Sequence, residues 1–324
     1  MIGAIAMENK EANSYPQVLL LGNGINQMNG GISWSDFLRT IATRKEIKNG
    51  EISVENLHCP EPLKAILVTD DHVDVALKEY WEKYQPGITG DISLLQKILS
   101  IGFDDILTTN YTYELEQAAL HPCKISKHKI KAMMRHTEGS KKAEGKYLLH
   151  TYNEAVAEGH CNRIWHIHGE ARKPDSTILG HYYYGNLLCK IKEELSGRRY
   201  DKDRGCRSWV DSFVLGDVYV LGFGFGFSEI DMWWLLNRKA REKAFTGKIY
   251  YYAAEPVGFN EKHELLRMLK NAHNGEPVVE IVSCGYKDKT VVKDGCERIV
   301  LDGSYEAFYT NALSDIANRI NRRK

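Results

Sequence analysis

The sequence predicts an α/β fold in which a mainly parallel sheet carries helices on both of its faces. Short apolar runs typical of buried strands recur along the chain, and longer amphipathic stretches typical of helices lie between them. This alternation favours parallel strands, because a crossover segment must precede each strand that runs in the same direction as the last. With 324 residues and 43% apolar composition, the chain is long enough to bury one large core, or one core with a smaller lobe.

Composition excludes several classes of protein and of binding site. Lys and Arg together number 43, as do Asp and Glu, so the formal net charge is zero. The chain therefore has no overall positive charge that would attract nucleic acid or an acidic membrane. There is no run of about 18 apolar residues to span a membrane, and we expect a cytoplasmic protein with a flexible tail over residues 1–14. The seven cysteines include no C-x-x-C pair, which argues against a disulfide framework and against a structural zinc site.

The strands and helices follow one another in a regular order. The predicted strands are Val18–Leu21, Asp104–Asn110, Ile164–Gly169, Val214–Phe223, Lys248–Ala254 and Val278–Ser283. The predicted helices begin at Ser35, cover most of residues 61–100, and then occupy Tyr113–Leu120, Asp231–Ala244 and Tyr305–Asn321. Ser228 and Asp231 have the spacing of a capping box, so we expect Asp231 to cap its helix rather than to bind a ribose together with Glu229.

Polar or glycine-rich segments follow the ends of four predicted strands. They are Gly22–Asn26, Asn110, His168 and Phe223–Phe227. The carboxyl ends of parallel strands meet at one edge of a sheet, and ligands of such sheets bind beyond that edge. We therefore expect the four segments to converge on one site, a stronger indication than any of them alone.

The loop after the first strand is a candidate phosphate-binding loop. Gly22 and Gly24 would let backbone N–H groups approach a pyrophosphate, and the start of a helix would add positive potential. Gln27 occupies the third glycine position of the dinucleotide fingerprint G-x-G-x-x-G, which counts against a hydride-transferring dehydrogenase. The alternative is a tight strand-to-helix turn that binds no ligand.

Asn110 and His168 are the candidate catalytic residues. The Asn110 amide is too weak a base to take a proton, but it could hold a ribose hydroxyl or a water, or else cap the following helix. His168 could accept a proton near neutral pH, or be a hydrogen-bonded histidine of the core. His166 lies two residues earlier, but no carboxylate or cysteine follows at a convincing ligand spacing, so we predict no metal site.

The segment 124–146 is basic, with eight Lys or Arg residues against Glu138 and Glu144. We interpret it as a solvated helix face or loop. The alternative is a basic surface that binds phosphate or nucleic acid. The aromatic residues that interleave with basic ones on a base-stacking surface are absent, so we expect no primary nucleic-acid site at Lys127, Lys129 and Lys131.

Taken together, these segments resemble the SIR2-like family of NAD-consuming proteins. Gly22-Asn23-Gly24-Ile25-Asn26 resembles the family's first loop, and Thr108-Thr109-Asn110-Tyr111 resembles its T-x-N motif. His168-Gly169 matches its H-G motif, and Leu221–Phe225 resembles its later glycine-bearing loop. The resemblance runs from about residue 18 to residue 255 in the family's order.

The resemblance implies a Rossmann-like domain over residues 15–324, with a smaller helical lobe formed by insertions around 36–100 and 113–162. It implies that NAD is the substrate and that Asn110 and His168 are the catalytic pair. The residues it implies for NAD binding are Gly22, Asn23, Gly24, Ile25, Asn26, Thr109, Gly222, Phe223, Gly224 and Glu255.

Two departures refine the implied activity. Protein-deacylating sirtuins carry a four-cysteine zinc module, and this chain lacks the spacing for one. The chain therefore best resembles bacterial zinc-free members, which implies an NAD+ hydrolase that depletes NAD in antiphage defence. Thr112 stands where the family often has aspartate, so one ribose or loop-anchoring contact is not accounted for.

Two alternatives remain at this stage: an NAD-dependent protein deacylase, and a module that senses NAD or ADP-ribose without cleaving it. A hydrolase of this kind would harm its own cell unless restrained. We therefore expect a homo-oligomer, an activating partner protein or a small-molecule trigger.

Overall fold

The computed structural model describes residues 15–28, 31–83, 92–120, 135–137, 145–157, 159–200, 202, 205–242, 246–253, 260–284, 287–293, 296–302 and 305–323. The described strands are β1 (Gln17–Leu21), β2 (Asp105–Thr108), β3 (Arg135–Thr137), β4 (Thr151–Ala157), β5 (His160–His166), β6 (Asp217–Leu221), β7 (Ile249–Ala253), β8 (Val279–Ser283), β9 (Lys287–Lys293) and β10 (Cys296–Asp302). The tail 1–14 and most of the basic segment 124–146 lie outside the described residues.

The described α-helices are α1 (Gly24–Met28), α2 (Trp34–Ile41), α3 (Lys45–Lys48), α4 (Glu61–Thr69), α5 (Val73–Lys83), α6 (Ser93–Ile101), α7 (Glu114–Leu120), α8 (His181–Glu194), α9 (Trp209–Leu215), α10 (Ile230–Ala240), α11 (Glu261–Met268) and α12 (Tyr305–Asn321). Short 3-10 turns cover Val54–Asn56 and Pro174–Ser176. None of the helices in the described ranges is long and apolar enough to cross a membrane.

Eight strands form one sheet in the order β3-β4-β5-β2-β1-β6-β7-β8. The six strands from β5 to β8 in this order pair in parallel, and β3 and β4 extend the sheet as antiparallel strands at one edge. β1 lies in the middle of the sheet. β2 and then β5 are added on one side of β1, and β6, β7 and β8 are added later on its other side. The point where this order reverses lies between β1 and β6, which is where a sheet of this type binds ligands. The structure confirms the predicted α/β fold.

Helices cover both faces of the sheet because the central strands are apolar on both sides. Val18 and Leu20 of β1 pack into a cluster with residues of α8, α9 and α10, whereas Leu19 and Leu21 pack into a second cluster with residues of α6, α7 and α12. The four side chains are completely buried. A strand buried on both faces needs a continuous apolar run, and this is the pattern that the sequence shows.

A third apolar cluster forms a smaller helical lobe from α2 to α5. Its buried residues include Phe37, Leu77 and Trp81, and it meets the sheet domain through Tyr111 and Leu179. Ser33 caps the start of α2 by accepting a hydrogen bond from the Asp36 N–H at 3.1 Å. The helices of this lobe fall at about the residues of the first predicted insertion, whereas α6 packs on the sheet.

Two sequence expectations differ from the structure. The second insertion, 113–162, was expected to be helical, but beyond α7 it contributes β3, β4 and the start of β5, which pair at the sheet edge. The predicted strand over Val214–Phe223 is also too long at its start, because Val214 lies in α9 and β6 begins at Asp217. Every residue of α9 and β6 is buried, so burial does not separate the helix from the strand, and the boundary signal in the sequence is Gly216, the C-cap of α9.

Lys239 is a buried cation that closes the C-terminal end of α9. Its ammonium donates to the carbonyl oxygens of Phe213, Val214 and Gly216 at 3.2, 2.9 and 2.6 Å. Its side chain is completely buried, and burial lowers its pKa well below the ordinary value. The last carbonyls of a helix lack partners within that helix, and here a lysine from α10 supplies them.

We expect Lys239→Met to lower the free energy of unfolding by about 1–3 kcal/mol, because three buried carbonyls lose their donor. Chemical denaturation followed by circular dichroism measures this loss. Arg241→Met, at the exposed end of the same helix, is the matched control and should change stability by less than about 0.5 kcal/mol. Equal stability of the two variants would contradict the capping role.

Candidate active site

A cavity of about 510 Å³ opens at the carboxyl edge of the sheet, between the sheet domain and the helical lobe. Segments that follow β1, β2, β5 and β6 line it, as the convergence of strand ends predicted. The predicted site residues on its wall are Asn23, Gly24, Asn26, Thr109, Asn110, His168, Gly222, Phe223 and Gly224. Gly22 and Ile25 lie behind the wall, and Glu255 falls outside the described residues.

The two glycine loops are packed against each other by their backbones. The Gly22 N–H donates to the Leu221 carbonyl at 3.1 Å, and the Gly24 N–H donates to the Gly222 carbonyl at 3.2 Å. A Cβ atom at Gly22 would lie 2.3 Å from the Gly222 oxygen, so no side chain fits there. Gly22 therefore holds the loops together, and Ile25 is a core residue with no exposed surface.

Gly24 also faces protein. A Cβ atom there would lie 2.5 Å from the Tyr309 hydroxyl of α12 and 3.1 Å from the Gly222 oxygen. We expect Gly24→Ala to weaken NAD binding by displacing the loop, and Tyr309→Phe in the same chain to restore part of the affinity by removing the hydroxyl. Isothermal titration of the single and double variants measures this. If the double variant binds no better than Gly24→Ala alone, the clash with Tyr309 is not the cause.

Asn110 is the second polar residue beyond β2. Its backbone N–H donates to the Thr108 hydroxyl at 3.1 Å, and its side-chain amide donates to the Gly22 carbonyl at 3.4 Å. Helix α7 begins four residues later at Glu114, so Asn110 does not cap it. The amide is 9% exposed and reaches the cavity wall, where its oxygen could accept a hydrogen bond from a ligand.

His166 is a structural residue that holds Asn110 in place. Its Nδ1 lies 2.7 Å from the Asn110 carbonyl oxygen and its Nε2 lies 2.9 Å from Glu116 Oε1. Both nitrogens face acceptors, so both carry protons and the ring is a cation. Although burial lowers the pKa of His166, the carboxylate of Glu116 raises it to about 9. The pair is buried, and Asn153 donates to the same Glu116 oxygen at 3.0 Å.

His168 is placed differently, on the cavity wall. Its Nε2 lies 2.9 Å from Asp231 Oδ2, and its ring contacts the ring of Tyr184 edge to face at 5.2 Å. Gly169, with a φ of +92°, lets the chain turn after it, since a Cβ there would lie 2.1 Å from the Ser176 oxygen. Burial lowers the pKa of His168, but the carboxylates of Asp231 and Glu229 together raise it above the ordinary value.

The capping box that the sequence predicts at Ser228 and Asp231 is wrong. Helix α10 begins at Ile230, and its N-cap is Glu229, whose side chain makes no capping hydrogen bond. Asp231 is completely buried and bonds His168 instead. Glu229 lies on the cavity wall beside it, and burial raises its pKa to about 7.

Within the described part of the chain, one group of side chains could hold a cation: His168, Glu229 and Asp231. Their ligand atoms lie within 4.8 Å of one another. No carboxylate stands at a ligand spacing from His168 in the sequence, but the fold brings Asp231 of α10 and Glu229, the N-cap of that helix, close to it. The cysteines described in full, Cys59, Cys161, Cys189, Cys206 and Cys284, are all free thiols.

The rest of the cavity wall is aromatic and acidic. Trp34, Phe37, Tyr80, Trp81 and Tyr111 line the side formed by the lobe. Glu61, Glu114 and Glu229 are carboxyl groups on the wall, and none of the described residues that line it is Lys or Arg. Burial raises the pKa of Glu114, whose two oxygens accept from the Thr112 hydroxyl at 2.6 Å. A carboxyl group thus lies beside Thr112, at the position where the sequence departs from the family pattern.

Comparison with known protein families gives a match that covers much of this site. The SIR2-like domain matches residues 104–276, which is more than half of the 324 residues. The matched range includes Asn110, His168 and the loop after β6. No curated protein matches the chain. SIR2-like domains use NAD, which agrees with the resemblance in the motifs. The chain belongs to the SIR2-like family.

Proposed function

We propose that the protein is an NAD+ glycohydrolase, which cleaves the nicotinamide–ribose bond and releases nicotinamide and ADP-ribose. The observation that carries the proposal is the placement of Asn110 and His168 on the wall of one cavity, which aromatic rings and carboxyl groups also line. The nicotinamide ring of NAD+ is a cation, and aromatic faces and carboxylates attract cations. Both glycine loops line the same cavity, although the Gly22 and Gly24 N–H groups already donate to the Leu221 and Gly222 carbonyls. None of the described residues on the wall is Lys or Arg, so the pyrophosphate would lie against backbone and uncharged side chains of these loops.

Each residue then has a definite task in the reaction. Water supplies the hydroxyl that replaces nicotinamide on the ribose, and positive charge develops on the sugar as the bond breaks. Asn110 would orient the water or the ribose hydroxyls through its amide. His168 would accept the proton that the water or the ribose hydroxyl gives up. General base catalysis of this kind contributes roughly a hundredfold to ten-thousandfold.

The cysteines favour hydrolysis over protein deacylation. Protein deacylases of this family usually carry a four-cysteine zinc module, and the spacing of the seven cysteines in this sequence does not fit one. The test is to incubate the purified protein with NAD, with and without an acetyl-lysine peptide, and to separate the products by chromatography. We expect NAD loss that does not depend on the peptide. Loss only with the peptide would support a deacylase, and no loss would support a sensing module.

We further propose that the hydrolase acts in antiphage defence and is restrained until needed, because continuous hydrolysis would deplete the NAD of its own cell. Restraint would come from assembly into a homo-oligomer, from an activating partner protein or from a small-molecule trigger. Light scattering at the concentrations used for turnover assays, alone and with products of neighbouring genes, tests this proposal. Full activity as a monomer without any addition would contradict it.

A further inference from the structure

His168 is bonded to a carboxylate that no part of the proposed reaction uses. Asp231 is the second residue of α10, 63 residues later in the chain, and its Oδ2 lies 2.9 Å from His168 Nε2. Both side chains are buried, at 3% and 0% exposure. Asp231 does not cap its helix, and its buried carboxylate bonds a histidine on the cavity wall instead. The local structure of the helix does not explain this contact.

The contact decides which ring nitrogen is free. An ionised carboxylate only accepts hydrogen bonds, so the proton of a neutral His168 lies on Nε2. The lone pair then lies on Nδ1, which makes no hydrogen bond to any residue in the described part of the chain. Because the ring lines the cavity, Nδ1 is the nitrogen available to a ligand.

We propose that Asp231 is a positioning residue for His168, which accepts the Nε2 proton and so presents Nδ1 as the base toward the cavity. The reaction assigned to that base rests on the proposed NAD hydrolysis, whereas the tautomer and orientation of the ring do not. When Nδ1 takes a proton, the adjacent carboxylate also stabilises the imidazolium that forms.

The surroundings of the pair agree with this role. Asp231 Oδ1 is buried and has no hydrogen-bond partner within the described ranges, so His168 is its one side-chain bond there. The other groups that face the imidazole are Glu229 and Tyr184, with the Tyr184 hydroxyl bonded to Glu229.

Asp231→Asn is the decisive variant. An asparagine can donate its amide N–H to Nε2, which would move the ring proton to Nδ1 and remove the base. We expect kcat for NAD hydrolysis to fall about a hundredfold or more, with KM changed less than about threefold. The acidic limb of the pH profile of kcat/KM should move to lower pH, because a neutral amide no longer raises the pKa of His168. A structural role alone would not move that limb.

Nitrogen-15 NMR of the histidine side chains provides a readout that needs no activity. The His168 signal is assigned by its loss in His168→Gln, and wild type should show a proton on Nε2 that Asp231→Asn shifts to Nδ1. Asp211→Asn is the matched control, since Asp211 is equally buried but bonds Tyr200 and Arg198 outside the cavity. That variant should leave the His168 tautomer unchanged.

Three results would overturn the proposal. One is an Nδ1-protonated His168 in the wild type. Another is an Asp231→Asn enzyme with a normal pH profile whose loss of rate follows its loss of folded protein. The third is stoichiometric Mn²⁺ binding, measured by electron paramagnetic resonance, that disappears in Asp231→Asn and is required for turnover. If the wild type cleaves no NAD, the proposed function fails, and the NMR result still decides the role of Asp231.

Discussion

Asn110→Ala is expected to lower NAD turnover at least about a hundredfold in a protein that stays folded. The amide would orient the water or ribose hydroxyls, whereas its structural contribution is small, because the one hydrogen bond that its side chain makes to a described residue, to the Gly22 carbonyl, is 3.4 Å long. The free energy of unfolding should therefore fall by no more than about 1–2 kcal/mol. Product chromatography measures the rate, and denaturant titration measures the stability.

His168→Ala should remove turnover as well, but it is a less clean variant. It leaves the Asp231 carboxylate buried without its partner, and an unpaired buried charge costs about 3–5 kcal/mol. His168→Gln is the better change, because its amide can still donate to Asp231 while it cannot act as a base. His150→Gln, at a partly exposed histidine bonded to Glu194, is the matched control and should keep its rate.

Near-normal turnover by Asn110→Ala under activating conditions would show that the assigned chemistry is wrong.

A large effect on stability is also expected at Glu116. Glu116→Ala leaves the buried His166 without its partner, and the free energy of unfolding should fall by about 3–5 kcal/mol. Because His166 also holds the Asn110 carbonyl, turnover should fall in the fraction that remains folded. Glu194→Ala, which breaks the partly exposed pair with His150, should cost no more than about 1 kcal/mol.

The same pair predicts how stability depends on pH. The pKa of His166 rises from an ordinary 6.5 to about 9 in the folded protein, so its contribution is fully present below pH 6.5. The contribution is lost as pH rises through about 9, because the unfolded chain then holds fewer protons than the folded one. We expect a loss of about 3 kcal/mol across this window, which denaturant titrations at its two ends measure. A flat profile in wild type, or the same slope in Glu116→Ala, would contradict this account.

The sequence predicts the site well where strand ends determine it. In a parallel sheet the residues after adjacent strands must meet, so Asn110 and His168 could be placed together from strand order alone. The SIR2-like resemblance is likewise confirmed by the family match. The zinc-free hydrolase branch, the roles of the site residues and the oligomeric state remain predictions.

What the sequence does not predict depends on tertiary contacts. Asp231 has the local spacing of a helix cap, and only the tertiary contact between α10 and the segment after β5 brings it to His168. The ion pair of Glu116 with His166 is likewise not predictable from the sequence, because nothing in the helix of Glu116 indicates a partner 50 residues later. The edge strand β4 lies in the second insertion, which is predicted to be helical. Its first three residues are all buried and its burial alternates only from Asn153 onwards, so it lacks the regular alternation that predicts a strand.

The central claim is that this cavity hydrolyses NAD, and product analysis in H₂¹⁸O tests it most directly. Under activating conditions, wild type should release nicotinamide and ADP-ribose in equal amounts, with one ¹⁸O in each ADP-ribose, and Asn110→Ala should release neither. NAD that stays intact, or products that form equally fast with Asn110→Ala, would contradict the claim.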